Sequence, residues 1–90
     1  MNLNYEKIKS FMGIYDSYQD ETIIPIIDEV AQFMVEAGVN EEIVQADTTC
    51  GVIARGTMDL WNYGSGQVTF SPIFNSRVTQ LSLKRVKENG

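Results

Sequence analysis

The chain has no histidine, one cysteine and twelve carboxylates in its 90 residues. Acid–base chemistry would therefore need a carboxylate whose pKa is shifted in a pocket. Asp28, Glu29 and Glu36 fall instead, with Gln32, on one narrow stripe of an otherwise apolar segment, the pattern of a solvated helix surface. Cys50 stands between Thr49 and Gly51 on an apolar helical face with no base in view. It reads as a small core residue rather than a nucleophile. One cysteine cannot close an internal disulfide, and without histidine a zinc site has almost no ligands. The turn Tyr63-Gly64-Ser65-Gly66 lacks the lysine of a phosphate loop and does not follow a strand, so it is not a nucleotide site. The expectation is a chain with no catalytic, cofactor-binding or metal-binding residue.

The element that must position these residues is a helix from Thr48 to Trp61. Its small or apolar residues recur at Cys50, Ile53, Ala54, Thr57, Leu60 and Trp61, the spacing of one helical face. Asp47 or Thr48 can cap its start, and Asn62, Gly64 and Gly66 end it. Gly51 and Gly56 inside it each cost about 1 kcal/mol relative to alanine, which predicts another backbone close by. This helix is expected at the centre, with the others packed round it.

Before it, Asn4 caps a short helix, Tyr5 to Met12, closed by Gly13. The polar and aromatic stretch IYDSYQDE feeds a long helix from about Asp20 to Ala37, roughly 27 Å at 1.5 Å per residue. Ile23, Ile26, Ile27, Val30, Phe33, Met34 and Ala37 make its main apolar face, widened by Ile24, Ala31 and Val35. Pro25 predicts a kink or a reset start, and Gly38 is the closing glycine. Asn40 caps a brief helical piece, Glu41 to Gln45. Beyond the glycine turn, Ser71 and Pro72 start a last helix as N-cap and first residue. The tail from Ser82 to Gly90 alternates apolar and basic residues; its pattern fits an edge strand, a helical continuation or a frayed arm, and a flexible end is expected. The fold class is all-α: a single domain holding a small bundle of about four helices, two long antiparallel ones with short N- and C-terminal ones.

Apolar residues make up 43% of the chain, enough for a core, yet a chain this short buries only about 60–65% of its unfolded surface. Assembly with copies or partners would add burial. No run reaches the ~20 apolar residues of a membrane helix, and MNLNYEKIKS has no apolar core of a secretory signal, so an intracellular protein is expected. The net charge of −5 is unevenly spread: residues 1–47 hold two lysines against ten acidic residues, net −8, and residues 48–90 hold five basic against two acidic, net +3. An acidic front half opposes tight duplex binding. A helix-turn-helix on Thr48, Thr49 and Arg55 would also set Glu41, Glu42 and Asp47 beside phosphates.

In DLWNYGSG at Asp59–Gly66 and FSPxFxxRVxQL at Phe70–Leu81, and more loosely over residues 6 to 84, the chain resembles the head–tail connector (head-completion adaptor) proteins of long-tailed phages. The resemblance implies a small all-α, non-enzymatic structural protein of the virion neck, assembled in the bacterial cytoplasm. About a dozen copies would form a ring under the portal protein, extend the DNA channel and dock a stopper, head-closure or tail protein. DNA would pass without specific binding, and Asp28, Glu29 and Glu36 would be candidates for an acidic channel wall that keeps it mobile. Trp61 and Phe74 would join the core or a subunit interface. Arg77 would bridge to an acidic residue of a neighbour or of the portal, and Lys84, Arg85 and Lys87 would dock on an acidic partner. A small acidic regulatory or antitoxin-like interaction module is the alternative.

Overall fold

Two helices stop at glycine in the same way, and this sets the path of the chain. The computed structural model describes residues 1–62 and 70–84. In the first helix, α1 (Tyr5–Phe11), Asn4 Oδ1 accepts the Lys7 N–H at 3.1 Å. Gly13 then takes φ 77°, and the amides of Gly13 and Ile14 return to the carbonyls of Ser10 and Lys9. The long helix α2 (Asp20–Glu36) ends identically: Gly38 takes φ 102°, and Gly38 and Val39 amides return to Val35 and Met34. Positive φ is open to glycine without a Cβ clash, and the crossed bonds satisfy carbonyls that a helix end would otherwise orphan.

α2 begins at Asp20 and runs through Pro25 rather than restarting there. Both Pro25 and Glu21, whose carbonyl loses a partner to the proline, are exposed, so the missing bond falls on the wet side of the helix. Ile23, Ile27, Val30, Ala31 and Met34 are buried. Of the expected face, Ile26 is half-buried, and Phe33 and Ala37 are exposed. The buried stripe is thus turned toward Ala31.

A short helix, α3 (Glu41–Gln45), follows, with Asn40 Oδ1 accepting the Glu42 N–H at 2.8 Å. The chain enters the central helix α4 (Cys50–Asn62) through one 3-10 turn at Asp47–Thr49. Neither Asp47 nor Thr48 caps it by side chain. The Thr49 amide bonds to the Ala46 carbonyl and the Cys50 amide to that of Asp47, and these tight backbone bonds replace a cap. The last helix, α5 (Pro72–Ser82), has Ser71 as N-cap, its Oγ accepting from the Phe74 N–H at 3.2 Å.

The protein is all-α among the described residues, with five helices of which α3 is one short piece. α4 packs against α1, α2 and α5, and one apolar cluster joins them: Ile8, Ile23, Ile27, Val30, Met34, Ile53, Leu60, Phe74, Val78 and Leu81. The glycine of closest approach is Gly56, but its neighbour is not a backbone. A Cβ there would stand 2.5 Å from the Phe74 ring and 2.8 Å from Val30 Cγ1. Gly56 is the floor on which an aromatic ring sits. At Gly51 a Cβ would meet only the Phe11 ring, at 3.6 Å.

Candidate functional site

The two segments that carry the connector resemblance meet in space. Asp59, 7% exposed on α4, accepts the Ser71 N–H on Oδ2 at 2.9 Å. In a capping box, the N-cap amide is taken by a carboxylate three residues into the same helix. That position in α5 is Phe74, and Asp59 of a different helix supplies the carboxylate instead. Phe74 fills the space above Gly56, wholly buried. Phe70 stacks on it at 4.4 Å between ring centroids, and Phe33 of α2 closes the group at 4.7 Å from Phe70. The clasp thus joins α2, α4 and α5 with one charge-assisted hydrogen bond and three aromatic rings.

Among the interface candidates, Phe74 has no surface left to offer a neighbour; its place is the core. Trp61 is half-buried against the same core. Arg77 is exposed on α5, its Nη1 donating to Gln80 Oε1. Lys84 is exposed just beyond α5. Arg85 and Lys87, like Tyr63, Gly64, Ser65 and Gly66, lie outside the described residues, as does the tail from Arg85 onward.

The carboxylate candidates Asp28, Glu29 and Glu36 are all exposed on α2, but two of them have partners. Glu36 accepts from Gln32 Nε2 at 3.4 Å. Asp28 Oδ1 accepts from the Tyr5 hydroxyl and ties α1 to α2. That hydrogen bond, then burial, then the carboxylate's charge push the Tyr5 phenol up from 10.0 to about 12. The folded state therefore holds the phenolic proton more tightly than the unfolded state does. The stability this contributes is complete below about pH 10, the unfolded value, and is lost as pH rises toward 12. The ultraviolet difference titration of wild type against Tyr5→Phe should show the phenol ionising near 12; a transition at the ordinary tyrosine value would remove the Asp28 bond.

Lys9 is a further residue that the fold singles out. Its side chain is 1% exposed, with Nζ 2.7 Å from Asp20 Oδ1 and 3.4 Å from Glu6 Oε1. Asp20 Oδ1 is buried with no hydrogen-bond partner, and the Lys9 ammonium is the charge set against it. The Asp20 carboxylate holds the Lys9 ammonium above its ordinary value, while burial pulls it down. A visible signal existed: Lys9 follows Tyr5 by four and sits beside Ile8, on the inward side of α1. The pair fastens the end of α1 to the start of α2. By comparison, Lys7 and Asp47 at 3.9 Å form an exposed pair of the kind that contributes little.

Cys50 is buried, 2% exposed, and burial, then the nearby Asp47, push its thiol up. It is the packed, protonated thiol that its neighbours in sequence suggest. Thr49, assigned to a DNA groove in the helix-turn-helix reading, is also buried, its Oγ1 donating to the Ile43 carbonyl. Thr48 and Arg55 are exposed, but a recognition surface missing its middle residue does not form. Among the described residues no three side chains of His, Cys, Asp or Glu come together as a metal site, and no helix is long and apolar enough to cross a membrane. A shallow groove of about 270 Å³ lies between the N-terminal arm and α2, lined by Met1, Leu3, Tyr5, Asp28, Ala31 and Gln32. No family model, curated protein or solved structure matches the chain.

Proposed function

We propose that this chain is a head–tail connector of a long-tailed phage: a structural protein of the neck, without enzymatic activity, that assembles under the portal. Copies of it would extend the DNA channel and hold the stopper, head-closure or tail protein below. The observation that carries the reading is the clasp. Asp59 of one of the two most specific resembling segments accepts the Ser71 amide of the other, which ties them into one unit of the fold. The exposed carboxylates of α2 suit a channel wall, because fixed negative charge repels the phosphate backbone and keeps it free to slide.

The test is to mix the folded protein with the portal ring encoded by the same phage and follow co-sedimentation to saturation. The expected result is a plateau near one copy per portal subunit. A protein that is helical by circular dichroism and does not bind the portal would overturn the reading in favour of a small regulatory interaction module. In the same assay, deleting residues 83–90 should weaken portal binding, because Lys84, Arg85 and Lys87 are assigned to the partner surface. Full binding by the truncated chain would remove that role for the tail.

A further inference from the structure

Two surfaces, one before the start of α2 and one along α5, are opposite in charge, and each exposes large apolar side chains; we propose that they form a head-to-tail contact between copies of this chain. The first is the turn between α1 and α2. Phe11, Tyr15 and Tyr18 are 57%, 78% and 90% exposed there, with Asp16 and Glu21 exposed beside them. Asp16 Oδ1 accepts the Tyr18 N–H at 3.2 Å and shapes the turn that presents the ring. Of the two lysines of α1, Lys9 is buried and paired to Asp20 and Lys7 is paired to Asp47, so the unpaired outward charge of the turn is negative.

The second surface is α5. Ile73 and Arg77 are four apart and share one exposed face of α5, and Lys84 is exposed just beyond its end. Ile73 is 63% and the adjoining Leu83 77% exposed. α5 contains no acidic residue, and Arg77 shares its stripe with the neutral Gln80. The outward charge here is positive. Tyrosine faces and an arginine are the partners that a desolvated contact favours, through ring burial and cation–π attraction.

Geometry decides that the contact runs between copies. The aromatic turn leads directly into Asp20, the first residue of α2, whereas Ser82 at the far end of α5 lies 3.7 Å from where a Gly38 Cβ would stand, just past the last residue of α2. Phe74, next to Ile73, packs beside Val30, ten residues or about 15 Å along α2 from Asp20, and the end of α5 lies farther still, so one molecule cannot bring its own two surfaces together. Because the patches differ, the contact is heterologous and propagates until it closes as a ring or continues as a filament. This names the surfaces by which neighbours would meet in the proposed connector, and it rests on that reading only for closure into a ring.

Cysteine cross-linking of the full-length protein tests it, alone at high concentration and on the portal ring. Cys50 is buried and stays in place. Tyr18→Cys mixed with Ile73→Cys should give a cross-linked dimer, each variant alone should give none, and the double variant should give a ladder. Arg77→Glu should suppress the ladder, and adding Glu21→Arg should restore it. A double variant that forms no ladder in either setting overturns the contact, as does a ladder indifferent to Arg77→Glu. Tyr18→Cys cross-linking with itself as readily as with Ile73→Cys would show a symmetric contact instead and also overturn it. A portal that saturates without a ladder leaves the connector reading standing and removes this contact alone. A ladder without portal binding does the reverse.

Discussion

Gly56→Ala is expected to destabilise the protein by about 2 kcal/mol, although alanine is the better helix former by about 1 kcal/mol. The added methyl would stand 2.5 Å from the Phe74 ring and 2.8 Å from Val30, well inside the roughly 3.5–4.0 Å of carbon–carbon contact. Neither neighbour can retreat cheaply. Phe74 is wholly buried with Phe70 stacked on it at 4.4 Å, and Val30 is wholly buried and β-branched. Overpacking of this kind outweighs the gain in propensity, and the urea midpoint should fall by about 1 M with the slope unchanged. Gly51→Ala is the control in the same helix. Its methyl meets only the Phe11 ring at 3.6 Å, an ordinary contact, so stability should rise by about 0.5 kcal/mol. Equal effects of the two substitutions would mean that the ring does not rest on Gly56.

Asp59→Ala is expected to cost about 2 kcal/mol, the usual range for a hydrogen bond to a charged group whose removal strands its partner. The loss should be local. The Ser71 amide loses its acceptor, so amide exchange in α5 should quicken well before that in α2. Asp59→Asn keeps an oxygen at the same place and should recover at least half of the loss, because a neutral acceptor makes a weaker bond but leaves no orphan. If α5 stays as protected in Asp59→Ala as in wild type, the clasp is not what holds this helix. For a chain of 90 residues, with a total stability of roughly 5–13 kcal/mol, either substitution is a large fraction of the whole.

The elements of this fold are legible in the sequence because their signals are local. Asn4, Asn40 and Ser71 accept the backbone amides that their positions before helices predict. Gly13 and Gly38 take positive φ where a helix must close. The spacing of Cys50, Ile53, Ala54, Thr57 and Leu60 marks the buried face of the central helix. Each of these features is settled within a few residues of chain, by one hydrogen bond or one turn of periodicity, and needs no knowledge of what lies opposite.

What faces what was decided only in three dimensions. The sequence predicts another backbone beside Gly56, whereas the neighbour is the ring of Phe74, eighteen positions on. Asp59 carries no mark of its bond to Ser71, since the amide it serves belongs to another helix. Lys9, charged and beside an apolar stripe, is buried only because Asp20, eleven residues later, comes round to meet it. Thr48 and Thr49 are alike in sequence, yet one faces solvent and the other is buried against Ile43. Periodicity identifies the side of a helix that turns inward, whereas a buried charge, a shared cap or a ring on a glycine depends on the particular atom brought against it. Only the packing of α1, α2 and α5 on α4 supplies that atom.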